Sequence, residues 1–139
     1  MPFAVYRLES RTALYAGQSI RLNFDRSISD DAGLVSSGPA WSFRAPADGV
    51  YFIQANVQLS PGADVVVTTK GRQQAAATPR VLATSPYVAT RIPAGQVQTM
   101  AFLTRRDEVW FEAGHSVGDN PQVYAVDGIA SIALLYPTA

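Results

Sequence analysis

The stretch WSFRAPADGVYFIQANVQL, residues 41–59, decides the fold. It sets two aromatic-rich runs, Trp41-Ser42-Phe43 and Val50-Tyr51-Phe52-Ile53, on either side of a break at Pro46–Gly49. Proline fixes φ and lacks a donor, and glycine accepts turn geometry, so the chain reverses there. From residue 50 onward the pattern has a period of two, which is that of a strand. One face carries Tyr51, Ile53, Ala55, Val57 and Leu59, a continuous core face. The opposite face starts with Val50 and Phe52 and continues with Gln54, Asn56 and Gln58. A strand built this way starts under cover and ends at solvent.

Alternation continues outward from this stretch, and helical periodicity is nearly absent. Strands are predicted over 3–8, 19–24, 40–44, 64–69, 96–103, 107–112 and 128–136, with a weaker one near 80–90. Turn residues separate them at Asp30-Asp31-Ala32-Gly33, Ser37-Gly38-Pro39, Pro61-Gly62, Lys70-Gly71, Pro93–Gly95, Gly114 and Gly118–Pro121. Short strands at this spacing predict an all-β fold, a two-sheet antiparallel jelly-roll sandwich of about 8–10 strands. The 139 residues correspond to one domain. Within it, 1–18 reads as an N-terminal strand or arm. The stretch 73–94, with Pro79, Pro86 and Pro93, reads as an irregular surface excursion carrying at most one edge strand.

Composition excludes several classes of function. There is no cysteine, hence no disulfide and no thiolate metal site. Eleven basic and eleven acidic residues cancel, and charged residues make up 16% of the chain, against about 25% in typical domains. Lys70 is the single lysine, and the other cations are arginines, which suit interfaces better. A neutral chain that is 47% hydrophobic favours self-association. Arg7, Glu9 and Arg11 interrupt the N-terminal segment, which therefore does not read as a secretory signal. No apolar run approaches the ~20 residues of a membrane span, so no membrane partner is expected.

Chemistry is sparse. The single histidine, His115, falls in the turn Ala113-Gly114-His115-Ser116 with no nucleophile motif around it. No glycine-rich phosphate loop opens a helix. The cations Arg105-Arg106 are followed at once by Asp107-Glu108, which argues against a nucleic-acid stripe. Asp30-Asp31 and Asp119-Asn120, with Asp127, are the acidic groupings, and none has a calcium-loop spacing. The expectation is a non-enzyme with no catalytic residues, no cofactor and no metal.

Four motifs in order resemble the C1q/TNF-like (tumour-necrosis-factor-like) jelly-roll superfamily. WSFRAPADGVYFI resembles the strand–turn–strand signature of complement C1q heads, and LTRRDEVWFEA (103–113) is similar to the second signature. DVVVTTKGR (64–72) and SIALLYP (131–137) sit where that family has corresponding strands. The likeness covers about residues 20–137. It departs at Arg106, where the family prefers glycine, at Ala130 and Ala133, where it places aromatics, and in having no collagen-like stalk. The resemblance implies a homotrimer without catalysis, in which neighbouring subunits cover aromatics near the three-fold axis. The candidates are Tyr51 or Phe52, Trp110 or Phe111, and Tyr136, because alternation allows one of each adjacent pair on a given face.

Two roles suit such a trimer. With no export signal, stalk or anchor in view, the first is a structural phage virion component such as a capsid decoration or cement protein. It would be made in the host cytoplasm and partnered with itself and a capsid. The alternative is an extracellular or cell-surface ligand-binding or adhesion head, including a tail-fibre or receptor-binding module. Arg80, Tyr87 and Arg91 of the excursion would then be its rim contacts.

Overall fold

The computed structural model describes residues 2–15, 17–60, 65–72, 78–84, 94–115 and 122–138. Twelve strands occur among these residues: β1 (Phe3–Leu8), β2 (Thr12–Tyr15), β3 (Ile20–Arg21), β4 (Arg26–Ser29), β5 (Val35–Ser36) and β6 (Ser42–Arg44), then β7 (Gly49–Ser60), β8 (Val65–Arg72), β9 (Arg80–Thr84), β10 (Ala94–Leu103), β11 (Glu108–His115) and β12 (Gln122–Pro137). All recorded pairings are antiparallel. They form two six-stranded sheets. The first runs β10-β7-β12-β1-β4, with β2 also on β12; the second runs β5-β6-β11-β8-β9, with β3 also on β11.

The break at Pro46–Gly49 is the corner where the chain passes from the second sheet to the first, which explains why aromatics flank it. Phe43 on β6 and Tyr51 on β7 both point inward from opposite sheets, and their rings meet edge to face at 5.9 Å between centroids. The Tyr51 hydroxyl donates to the Ala47 carbonyl (2.6 Å) and accepts from the Ala47 N–H, tying the corner to the strand that leaves it.

The core follows the alternation of residues 51–59: Tyr51, Ile53, Ala55, Val57 and Leu59 are all buried. They face Phe43, Val109, Phe111 and Ala113 of the second sheet. Trp41 lies among Tyr6, Phe24 and Phe111, with ring centroids 5.6–5.9 Å away. Its indole N–H donates to the Phe24 carbonyl at 3.1 Å, which satisfies a donor that burial would otherwise leave costly.

Several boundaries differ from expectation. The strand predicted at 19–24 shrinks to Ile20–Arg21, although Leu22 and Phe24 still enter the core. Lys70-Gly71 and Gly114, read as breaks, lie inside β8 and β11. His115 is therefore the last residue of a strand and not part of a turn. β12 begins at Gln122, earlier than predicted. The N-terminal segment pairs within its own chain: both β1 and β2 lie along β12. Of the 73–94 excursion, β9 forms a sheet edge on β8, while residues 73–77 and 85–93 lie outside the described residues.

Replacing Trp41 by alanine removes the ring that three aromatic neighbours pack against. The expected loss is about 3–5 kcal/mol of unfolding free energy, read from urea or guanidinium midpoints at unchanged slope.

Candidate interaction face

Both sheets have an outer face, and the two differ sharply in how their apolar groups are covered. On the first sheet, register places outward side chains in rows across the strands. Met100 on β10 stands opposite Phe52 on β7, Phe52 opposite Ala133 on β12, and Ala133 opposite Phe3 on β1. The next row toward the corner is Phe102, Val50 and Tyr136. A bulge between Leu134 and Tyr136 inserts Leu135 and keeps Tyr136 on this outer face.

These two rows form an apolar patch. Phe3 is 44% exposed, Phe102 52%, Met100 65% and Tyr136 67%. Moving along the same strands away from the corner, the next rows are Gln98, Gln54 and Ser131, then Gln96, Asn56 and Ile129. One face thus carries an apolar end and an amide-rich end, where Arg7 of β1, opposite Ile129, pairs with Asp127 at 3.3 Å. Isolated exposed apolar residues are ordinary, but contiguous ones mark contact surfaces.

The second sheet's outer face is covered by its own polar groups. Its central aromatic is Trp110, which is 2% exposed although it points away from the core. The Arg21 guanidinium lies over the indole at 4.0 Å from the ring centroid, and Arg72 approaches from 5.8 Å. The Trp110 N–H donates to Glu112 (2.8 Å), which also accepts from Ser19 and pairs with Lys70 at 3.0 Å. Glu108 pairs with Arg72 at 2.7 Å and with Arg44 at 3.4 Å.

The structure separates the predicted interface residues. Tyr51 and Phe111 are wholly buried in the subunit's own core, which corrects their candidacy as contacts to a neighbour: inward alternation leaves them no surface to offer. Trp110 points outward under its arginine cover, so it presents no bare ring. Phe52 and Tyr136 fall together in the patch. Phe3, Met100 and Phe102 complete it; they were not singled out in the sequence, and only strand register shows that they adjoin. Arg80 is exposed on β9, whereas Tyr87 and Arg91 lie outside the described residues.

The acidic groupings serve the chain itself. Asp30 accepts from the Tyr6 hydroxyl at 2.6 Å and from the N–H groups of Leu34 and Val35. Asp127 accepts from Arg7 and from the Gly128 N–H. Asp119 and Asn120 lie outside the described residues. Among the described residues, no three His, Cys, Asp or Glu side chains are gathered as a metal site would need.

No protein-family model and no curated protein matches the sequence. Solved structures do. The globular domain of zebrafish complement 1qA protein superimposes with a TM-score of 0.68 at 17% identity, covering 99% of this chain and 100% of that one. The Eiger TNF from S. frugiperda gives 0.62 at 9% identity, covering 100% and 97%. The PRD1 vertex protein P5 gives 0.64 at 9% identity, covering 96% and 97%. The fold is the C1q/TNF-like jelly roll.

Burial pushes the Glu112 carboxyl upward, but donation from Trp110, Ser19 and Lys70 outweighs it and holds the group below the usual glutamate range. A carboxyl depressed in the folded state stabilises it above the ordinary glutamate value, and that contribution is lost as pH falls through the lowered one. Acid titration is therefore expected to change Trp110 emission before unfolding, and Glu112→Gln to abolish that step. Trp41, with a backbone carbonyl as its partner, stays silent in the same range.

Proposed function

We propose that this protein is a non-catalytic structural protein that works as a homotrimer on the surface of a phage virion, as a capsid decoration or cement protein does. The observation that carries the self-association is the apolar end of the first sheet's outer face, where Phe52, Phe102, Met100, Tyr136 and Phe3 adjoin. Full burial of one such side chain stabilises an assembly by roughly 1.5–3 kcal/mol. Closed rotational symmetry covers the patch on every copy at once and leaves no open contact to propagate.

The virion assignment draws on likeness of fold to the PRD1 vertex protein, so it is an argument from architecture. The composition agrees with it: few charges, no cysteine and no catalytic constellation suit a protein whose work is contact. The likeness to a complement head favours the second reading, an extracellular recognition or adhesion head, with the β8–β9 edge and Arg80 as its outward contacts.

Sedimentation over a hundredfold dilution tests the trimer, and binding to purified capsids lacking the protein tests the role. The wild type is expected to sediment as a trimer and to bind such capsids. Phe102→Glu and Met100→Glu, each placing a charge within the patch, are expected to give folded monomers. A wild type that is monomeric throughout would remove the trimer. A trimer that ignores capsids would leave the recognition head as the reading.

A further inference from the structure

At the corner end of the sandwich, a cleft of about 390 Å³ opens between the loop after β4, the end of β6 and the β10–β11 turn. Its charged lining consists of Arg44, Arg105 and Arg106, set against Leu34, Ala45 and Pro46. No acidic side chain lines it. Three nearby carboxylates are held by groups of the chain itself, while Asp31 of the same loop as Asp30 is exposed and not among the lining residues. Asp30 is held by Tyr6, Leu34 and Val35, Asp48 accepts from the Arg105 N–H, and Asp107 accepts from the Thr104 N–H and hydroxyl. Among the described residues neither Arg105 nor Arg106 forms a salt bridge, and Arg44 shares Glu108 with Arg72 at the longer distance.

The turn that presents two of these arginines is an unfavourable place for one of them. Thr104–Asp107 closes with an Asp107 N–H bond to the Thr104 carbonyl at 3.0 Å, and Arg106 takes a φ of 75°. That left-handed position suits glycine, because a side chain there crowds the backbone. Folding alone gives no reason for an arginine at it. A guanidinium needed at the mouth of the cleft does.

We infer that this cleft binds carboxylate side chains of an acidic polypeptide segment on a partner protein. The backbone argues against a small oxyanion such as phosphate, which favours converging N–H groups. Here the N–H groups of Gly33, Leu34, Arg44, Ala45, Arg105 and Arg106 are all engaged within the chain. Recognition falls to the guanidinium forks, which pair with carboxylates in bidentate fashion. The apolar walls of Leu34, Ala45 and Pro46 offer contact to the chain carrying them. The inference does not depend on the trimer or on the virion role.

Titration calorimetry at low salt with a hexaglutamate peptide, a hexaglutamine peptide and inorganic phosphate tests it. Hexaglutamate is expected to bind, weakening with added salt, and hexaglutamine is not. Arg106→Gly is expected to weaken hexaglutamate binding about tenfold, with thermal stability unchanged or raised because the strained residue is gone. Arg105→Gln, which keeps the turn's backbone bond to Asp48, is expected to weaken it comparably. Phosphate binding as tight as hexaglutamate would overturn the polypeptide assignment. Hexaglutamate that fails to bind, or binds both variants like the wild type, would overturn the site.

Discussion

The corner at residues 45–51 holds the two sheets in register, and the rest of the molecule depends on it. Tyr51 belongs to the first sheet, packs on Phe43 of the second and donates its hydroxyl to the Ala47 carbonyl of the corner itself. Around that point the chain is joined by further backbone bonds. Ala45 donates to the Asp107 carbonyl, Arg106 to the Ala45 carbonyl and Thr138 to the Asp48 carbonyl. The β10–β11 turn and the end of β12 are thereby fastened to the same few residues. The apolar rows and the arginine cleft both lie beside this knot, so their geometry is set by packing rather than by a free loop.

The two outer faces show how one alternation pattern can lead to opposite surfaces. On the second sheet an outward tryptophan is sealed by Arg21, Arg72 and Glu112, each supplied by a strand or strand neighbour. On the first sheet Arg11 lies over the Tyr124 ring at 4.3 Å, but the rows of Met100, Phe52 and Phe3 and of Phe102 and Tyr136 contain no cation or carboxylate. The arginine-rich, lysine-poor composition fits the first arrangement, since guanidinium planes stack on rings where ammonium groups would keep their water. That leaves the apolar surplus of the chain concentrated on one side.

Much of the fold was legible in the sequence because a period of two is hard to imitate. The inward set from Tyr51 to Leu59 was correct residue by residue. Glycines were harder to read. Gly71 and Gly114 read as turns in the sequence, yet a Cβ would stand 2.9 Å from Leu82 at the first and 2.7 Å from the Gln18 carbonyl at the second. They permit close approach within strands, a use that sequence does not distinguish from a turn. The short β4 and β5 carry one apolar residue each, and the four residues of β2, though Leu14 enters the core, are too few to show a period of two. Within the candidate face, Phe52 and Tyr136 were readable, but adjacent apolar pairs such as Trp110-Phe111 gave no sign of which member turns inward. The adjacency of Phe3, Met100 and Phe102 lies in strand register, to which no single segment bears witness.

The amide rows beyond the patch have a geometric consequence. A face with unlike ends, repeated by rotation about one axis, gives every copy the same heading, so a ring of such subunits has two chemically distinct poles. In one subunit the aromatic rows and the arginine cleft lie toward the corner end of the sandwich, and Gln96, Asn56 and Gln58 toward the other. The trimer proposed above would then distinguish up from down, and a surface receiving it would do so in one orientation only.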